Sequence, residues 1–517
     1  MTGSVLFEGG RVYTGRRYVE ALLVEDGRVL LAGSREEAAR GAPVGVEKVR
    51  LDGALVVPGL ADAHLHVSEL AWMREGPPLG RARSAEELVS SLSAWAKERP
   101  REPIVGRGFD LAALLPGEWP TARVLDRAVD DRPVLVYDRS GHVALLNSRA
   151  LERLDLSRAA DGAADDGIGR GPAGEPNGIL YEEAMRRLGP SVTERQPPST
   201  ASLGRTFDFL TSLGLTSVGA MSTTPEELDA LRALAADKQP FPRVRGYVRL
   251  ARLRDLPQEA AAQRSGVVAA VGVKAFLDGA FGPRTASLFE PYSDLPSSRG
   301  RDVGDDRALL ASLEEASSRG LAPALHAIGE RAVHRAARLL DALSVPPGKL
   351  ARIEHASLTT PEALASLARS RPVLVVQPGF VVSDLWLTER LGPQRARWAY
   401  AFRTLADRGF VLAGSSDAPY DPADPWRALR AAVHRHDPEG RSASPEPSER
   451  LPPEEAFALY TTGAGRALGL EGAGLLEPGA PADLLVLSAG RLSAALEAAT
   501  PVAQTWIRGR RAFPAGG

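Results

Sequence analysis

The chain has 517 residues, which is long enough for a large barrel together with a second folding unit. A formal net charge of −2 excludes the strongly basic surface that attracts nucleic acid or an anionic membrane. The absence of cysteine excludes disulfides and thiolate metal sites, so a metal ion would have to bind histidine and oxygen ligands. No signal peptide and no apolar run near the ~18 residues that span a bilayer is visible, so we expect a cytoplasmic protein.

Both ends of the chain contain short apolar runs that are typical of β-strands. In residues 1–57, the pair Asp26-Gly27 separates two such runs and indicates a β-hairpin. Residues 469–517 have a similar pattern. We therefore expect the two ends to pair into one small β-sandwich, with residues 1–57 and 469–517 as its two parts.

Between the two ends, apolar strand candidates alternate with helical patterns. This alternation predicts an α/β fold with parallel strands, and eight such units predict a (β/α)8 TIM barrel over residues 58–468. The predicted barrel strands are Leu60–His66, Thr216–Ala220, Arg245–Leu250, Val273–Asp278, Pro323–His326, Arg352–His355, Val373–Gln377 and Phe410–Asp417.

The connection between the first two predicted strands is unusually long. About 150 residues separate them, which is far more than a βα connection needs. The stretch contains Ser84–Arg99, whose pattern predicts a helix, and Val134–Tyr137, whose pattern predicts a strand. We expect a large insertion at about 69–200 that covers the mouth of the barrel.

Metal-ligating residue types recur at the ends of the predicted strands. His64 and His66 end the first strand, and side chains two apart on a strand point to the same face, where two imidazoles can hold one metal ion. His326, His355 and Asp417 each end a later strand. The active site of a (β/α)8 barrel lies at the carboxyl ends of its strands, so we expect these residues to converge.

Lys274 lies inside an apolar predicted strand, although the chain has only five lysines and uses arginine for nearly all its positive charge. A buried ammonium group is costly unless it is neutralised, paired or chemically altered. One reading is a buried salt bridge between Lys274 and Asp278 or Glu354. Another is a chemically modified lysine.

Taken in order, these stretches resemble the amidohydrolase superfamily of metal-dependent hydrolases, and especially the branch of YtcJ-like hydrolases and N-substituted formamide deformylases. The resemblance covers nearly the whole chain and implies a (β/α)8 barrel with a β-sandwich built from both termini. The matching stretches are Pro58–His66, Val273–Ala286, His326–Ala332, Arg352–Ala356, Gly414–Pro419 and Leu475–Leu484.

The resemblance implies one or two divalent metal ions, and histidine with oxygen ligation suits zinc. By this resemblance, His64 and His66 would bind the more buried ion, and His326 and His355 would bind the second. Lys274 would be carbamylated by CO2 and would bridge the ions. The carbamate would also remove the cost of a buried ammonium group.

The resemblance also implies that Asp417 binds metal and takes the proton from a metal-activated water. The implied reaction is hydrolysis of a non-peptide amide C–N bond, with N-acyl and N-formyl compounds as first candidates. Deamination or a lyase reaction on the same scaffold is an alternative, and a metal-free, non-enzymatic scaffold is another. Deaminases of the superfamily typically lack the bridging lysine and have His-x-x-Glu after the fifth strand, whereas Glu330 here stands four residues after His326. A metal-free scaffold would be expected to have lost ligands.

Four further residues are candidates for contact with a small-molecule substrate. Asp110 and His142 lie in the insertion, Arg284 follows the Lys274 strand, and Gln377 ends the seventh predicted strand. His142 could instead stabilise the insertion, and Arg284 could instead bind a structural carboxylate. A homodimer is possible, and neither nucleic acid nor a membrane is expected as a partner.

Overall fold

The computed structural model describes residues 3–99, 102–111, 114, 119–139, 141–154, 167–193, 197–258, 266–443, 446–497 and 502–514. Their strands form sheets of four, five, six and eight strands. Within these ranges, no helix is both long and apolar enough to cross a membrane.

The eight-stranded sheet is the predicted barrel, and each strand pairs in parallel with the next along the chain. Backbone hydrogen bonds from Asp417 N to His64 O (2.9 Å) and from His66 N to Ala418 O (2.8 Å) join the first strand to the segment after the eighth. The predicted (β/α)8 barrel is confirmed. Its strands are Leu60–Leu65, Leu215–Thr223, Arg243–Arg249, Val268–Phe276, Ala322–Ala327, Arg352–His355, Val373–Val376 and Leu412–Gly414.

Only the sixth barrel strand has the predicted limits, and the fourth and eighth depart from theirs the most. The fourth begins at Val268 rather than Val273, because Val268 already pairs with Val244 of the third strand. The eighth stops at Gly414 although the apolar pattern predicts a strand to Asp417. Asp417 has a backbone φ of 58°, which is incompatible with an extended strand.

Residues from both termini share one sheet, as predicted. The strand Leu484–Leu487 lies antiparallel to Leu55–Pro58, and the ring of Trp506 packs edge-on against Phe7 at 5.1 Å between centroids. The six-stranded sheet has the order Arg510–Phe513, Val502–Ile507, Leu484–Leu487, Leu55–Pro58, Arg11–Tyr13 and Tyr18–Val19. The four-stranded sheet has the order Arg28–Gly33, Ala21–Glu25, Val5–Glu8 and Glu47–Arg50. The limits of the predicted domains at residues 57 and 468 stay predictions.

The insertion after the first barrel strand has its own five-stranded sheet and its own apolar core. The predicted helix at Ser84–Arg99 is present as Ala85–Glu98, and the Ser84 side chain caps it by accepting from Glu87 N. Insertion residues line one cavity together with residues from the barrel strand ends, so the insertion covers the barrel mouth. Its strands are, in sheet order, Ile168–Arg170, Pro176–Tyr181, Val143–Leu146, Val134–Asp138 and Ile104–Phe109.

Helices lie in the connections between the barrel strands, in the insertion and in the two terminal segments. The α-helices are Arg35–Gly41, Val67–Glu75, Ala85–Glu98, Ala122–Asp126, Ser148–Glu152, Glu182–Thr193, Thr200–Ser212, Pro225–Asp237, Asp306–Ser318, Glu330–Ala342, Pro361–Ser370, Leu387–Leu391, Pro393–Ala396, Phe402–Asp407, Pro425–His434, Pro453–Ala458, Ala464–Ala467 and Leu492–Glu497. Short 3-10 helices lie at Leu79–Arg81, Leu250–Asp255, Pro378–Val382 and Pro447–Glu449, and a π-helical turn lies at Leu459–Gly463.

Candidate metal centre

Predicted ligands from the first, sixth and eighth strands meet around one carboxylate. Asp417 Oδ1 lies 3.1 Å from His64 Nε2 and 3.3 Å from His66 Nε2. Asp417 Oδ2 lies 3.9 Å from His355 Nδ1. Potential ligand atoms of His64, His355 and Asp417 all lie within 4.8 Å of one another, which is close enough to hold one ion.

The backbone at two of these residues adopts a conformation that non-glycine residues rarely take. The φ angle is 74° at His355 and 58° at Asp417. Left-handed backbone at such residues is unfavourable and persists only where the surrounding structure holds it. At Asp417, the backbone N–H is held by His64 O, and the neighbouring Ser416 N–H is held by the Asp62 carboxylate.

The orientation of His64 is set by a buried carboxylate behind it. His64 Nδ1 donates to Glu354 Oε2 at 2.6 Å, because a carboxylate only accepts, and this turns His64 Nε2 toward Asp417. Arg352 donates to both oxygens of Glu354, from Nε and Nη2, at 2.8 Å each. Although burial raises the pKa of Glu354, Arg352 and His64 together hold it well below its usual range, so Glu354 is ionised.

His355 and His326 each use one ring nitrogen in a hydrogen bond, which leaves the other nitrogen available to bind a metal ion. His355 Nδ1 donates to Gln377 Oε1 at 2.9 Å, while the Gln377 amide nitrogen donates to Ser415 Oγ. His326 Nε2 donates to Gly279 O at 3.0 Å. Burial lowers the pKa of His326 well below its usual value and that of His355 to about 3. Both rings are therefore neutral, which is the form that binds metal. Their centroids are 4.5 Å apart.

Lys274 lies buried beside these ligands, and its Nζ has no hydrogen-bond partner among the residues that the structure describes. Nζ lies 4.9 Å from the centre of the Phe276 ring. Burial lowers the pKa of Lys274 to about 8, and the carboxylates of Glu354 and Asp417 only partly offset this. An amine of lowered pKa is more often neutral, and the neutral amine is the form that can react with CO2.

The salt bridge that the sequence left open for Lys274 is not formed. Glu354 is taken by Arg352 and His64. The Asp278 carboxylate accepts instead from three backbone N–H groups, those of Ser287, Ile328 and Gly329. The sequence could not show this, because the N–H groups belong to loops that only the fold brings to Asp278.

The donor set fits a divalent metal ion. His64 Nε2 and Lys274 Nζ are buried polar atoms without a hydrogen-bond partner in the described part of the chain, and such atoms are costly. Coordination would remove that cost for His64, and a carbamate ligand would do so for Lys274. Neutral imidazoles and a carboxylate suit zinc, with other divalent transition metals as alternatives.

A cavity of about 540 Å³, including its mouth, lies over these ligands. His326 and Asp417 contribute to its floor, and the predicted substrate residues Asp110 and His142 line it from the insertion. His142 Nδ1 donates to Glu182 Oε2 at 2.8 Å, which fixes the ring 5.4 Å from that of His326. The aromatic residues that line the cavity are Phe281, Phe380, Trp386, Tyr400 and Tyr420.

The other two predicted substrate residues lie elsewhere. Arg284 Nε and Nη2 both donate to Asp294 Oδ2, at 3.1 and 2.6 Å, so its partner is a structural carboxylate. Gln377 is buried behind His355 and positions that ring rather than lining the cavity. Both residues follow strands that lead to the site, but each side chain is held by another residue of the protein and is not turned toward a substrate.

Sequence reasoning missed the support that Glu354 and Arg352 give to His64. The spacing of Arg352 and Glu354 on one strand does place them on one face, so their pairing could have been inferred. Their contact with His64, 290 residues away from Glu354, depends on how the barrel closes. The role of Glu182 behind His142 was missed for the same reason.

Comparison with known proteins places this geometry in a family. A sequence model of the amidohydrolase family matches residues 48–513. This chain belongs to the amidohydrolase family. YtcJ of Bacillus subtilis (strain 168), named as an amidohydrolase, is 32% identical over 507 residues, which cover 93% of this chain and 94% of that protein. The N-substituted formamide deformylase of Arthrobacter pascens is 25% identical, with 90% of each chain covered.

A solved structure agrees with this assignment. The crystal structure of an uncharacterized metal-dependent hydrolase from Pyrococcus horikoshii OT3 superposes with a TM-score of 0.77 at 32% identity, covering 94% of this chain and 97% of the other. The family, its fold and the converging histidine and carboxylate groups together identify this amidohydrolase as a metal-dependent hydrolase.

The orientation of His64 by Glu354 leads to a prediction about metal affinity. In this amidohydrolase, Glu354→Gln keeps the side-chain shape but removes the charge that orients and polarises the imidazole. We expect metal affinity to fall by about 10–100-fold, the usual effect of losing such a supporting carboxylate. Competition with a chromophoric chelator measures it. Glu449→Gln, a buried carboxylate that accepts from Thr404 instead, is the control. Equal affinities in the two variants would contradict the prediction.

Proposed function

We propose that this amidohydrolase hydrolyses the C–N bond of a small, non-peptide N-acyl or N-formyl amide. The observation that carries the proposal is the carboxylate of Asp417, whose Oδ1 lies within 3.3 Å of both His64 and His66 at the floor of the cavity. The name of the formamide deformylase relative supports an amide as the bond cleaved.

The histidines would hold one or two divalent ions, with zinc as the first candidate. His64, His66 and Asp417 would bind one ion, and His326 and His355 the second. Lys274, as its carbamate, would add oxygen ligands between them. When bound, the metal would polarise the substrate carbonyl and lower the pKa of the attacking water.

Asp417 is suited to act as the general base. Although burial raises the pKa of Asp417, His64 and His66 hold it well below its usual range, so the carboxylate is ionised at neutral pH. Asp417 would accept a proton from the water as its oxygen bonds to the amide carbon. It would then deliver that proton to the nitrogen as the C–N bond breaks, which releases the amine and a carboxylic acid.

The cavity walls would hold the substrate in place for this attack. His142, fixed by Glu182, faces the same space as His326 and is positioned to contact the amide or the leaving group. The insertion lines part of the cavity and would limit access of bulk water, which would strengthen polar interactions within it.

The first test compares metal-free and metal-loaded protein. We expect chelator-treated protein to lose amide hydrolysis and stoichiometric zinc to restore it, because the attacking water needs the ion. Amine release is measured over a panel of N-formyl amines, N-acyl amines, N-acyl amino acids and lactams, with ammonia release from aminoheterocycles as the deaminase arm. Full activity in chelator, on protein that elemental analysis shows to be free of metal, would contradict the proposal.

Replacement of Asp417 by asparagine tests the base. Asp417→Asn keeps the shape and removes the proton acceptor, so kcat should fall by about 10²-fold or more. Metal content should fall less, because His64 and His66 still bind. Asp407→Asn, a largely exposed carboxylate paired with Arg403, is the matched control and should retain activity. A near-normal kcat in Asp417→Asn would show that another residue is the general base.

Lys274 has a separate test. Lys274→Ala removes the amine that would carry the carbamate, so activity should be lost. Short carboxylic acids should partly restore it by supplying the missing oxygens. Lys238→Ala, a surface lysine paired with Asp208, should retain activity without added acid. A crystal structure of metal-loaded enzyme with an unmodified Lys274, obtained with CO2 present, would refute the carbamate.

A further inference from the structure

The lining of the cavity carries more acidic than permanently basic side chains. Asp110 and Asp138 from the insertion and Asp384 from the segment after the seventh barrel strand line the same space. Among the lining residues that the structure describes, Arg139 is the one permanent cation. Apart from Asp417 at the metal centre, the lining holds three carboxylates and one guanidinium group, of which Asp110 and Asp384 pair with Arg139 while Asp138 accepts from Leu111 N.

Arg139 could be read as an anchor for a substrate carboxylate, but its nitrogens are already engaged. Nε donates to Asp110 Oδ2 at 3.0 Å, and Nη2 donates to Asp384 Oδ1 at 3.4 Å. Nη1 donates to the backbone oxygen of Tyr420 at 3.4 Å. A substrate carboxylate would have to displace one of these acceptors and would then lie beside the acidic side chains. An ammonium group would not, because a carboxylate oxygen that already accepts from Arg139 can accept a second hydrogen bond.

These charges are partly shielded from water, so they act strongly within the cavity. The side chains of Asp110 and Asp384 are 20% and 12% exposed. Burial raises the pKa of Asp384 to about 6, which still leaves it ionised at pH 7.5 and above. Tyr400 donates its hydroxyl to Asp384 Oδ2 at 2.6 Å and holds the carboxylate in place. A cluster with negative charge in excess attracts a cationic group and repels an anionic one.

The same walls offer aromatic surface close to the carboxylates. Phe281, Phe380 and Trp386 line the cavity, and the rings of Phe380 and Tyr400 meet at 6.3 Å between centroids. Aromatic faces bind apolar groups and also favour cations. The cavity therefore combines an apolar surface with a negative end.

We propose that the substrate carries a protonated amine, attached through an apolar body to the scissile amide, and that Asp110 and Asp384 select for it. The inference rests on the proposed amide hydrolysis and narrows it to a substrate class. Amides with a free carboxylate, N-acyl amino acids among them, are disfavoured by the same two residues.

The test uses three N-formyl phenethylamines of nearly equal size that carry a methyl, an aminomethyl or a carboxylate group at the para position. We expect kcat/KM of the zinc-loaded enzyme to be highest for the aminomethyl compound and at least about tenfold lower for the carboxylate. Calorimetric binding of the same three compounds is measured in parallel, so that the order of affinities is known whatever the turnover.

Variants assign the selectivity to the two residues. Asp110→Asn and Asp384→Asn each keep the side-chain shape and remove one charge, so the ratio of kcat/KM for the aminomethyl compound to that for the carboxylate should fall severalfold. The ratio is insensitive to a general loss of activity. Asp341→Asn, a carboxylate paired with Arg369 on an outer helix, is the control and should keep the wild-type ratio. If Asp384→Asn fails to fold, the more exposed Asp110 still tests the assignment.

The outcomes separate this inference from the proposed function. A preference for the carboxylate compound, in rate or affinity, would overturn the inference and make Arg139 an anion anchor, while amide hydrolysis would stand. Equal ratios in wild type and both variants would also overturn it. If the metal-loaded enzyme hydrolysed none of the amides, the proposed function would be overturned. The calorimetric affinities for the three compounds would then be the test of the charge preference.

Discussion

The closure of the barrel and the assembly of the metal centre depend on the same backbone hydrogen bonds. Asp417 N donates to His64 O, and His66 N donates to Ala418 O, so the ends of the barrel are joined at the residues that would bind metal. The carboxylate of Asp62 reinforces the joint by accepting from Ser416 N. The closeness of Asp417 to His64 and His66 is therefore a consequence of closing the sheet, and their backbones cannot separate without opening it.

Behind this joint, the barrel contains a buried ion pair that serves the site. Arg352 stacks over the ring of Tyr247 at 4.3 Å and holds Glu354, which in turn holds His64. Small interior side chains such as Ala61, Ala63 and Ala324 leave space for these larger groups. Breaking such a pair by removing one partner typically costs about 3–5 kcal/mol, because the other charge stays buried. The pair of Arg352 and Glu354 therefore stabilises the barrel interior and also orients His64.

The metal ligands and the cavity wall come from different parts of the chain. The barrel strands and the residues just after them supply every candidate metal ligand, whereas the insertion supplies Asp110, Asp138, Arg139 and His142 to the cavity wall. Because the insertion has its own sheet and core, its loops can differ without disturbing the ligands beneath. This separation accounts for how one family fold can accommodate different substrates, and the proposed charge selectivity would then lie in the wall rather than at the metal.

The sequence by itself determined the fold class, the eight barrel strands, the union of the two termini and the residue types at the site. Periodic apolar runs report which residues are buried, and parallel barrel strands bring their carboxyl ends together, so His64, His66, His326, His355 and Asp417 could be placed at one site. The tertiary structure alone decided which partner each side chain takes. Arg284 binds Asp294, Gln377 supports His355, and Lys274 pairs with neither Asp278 nor Glu354. Such contacts join residues far apart in sequence, and they depend on strand register and loop position, which local periodicity does not encode.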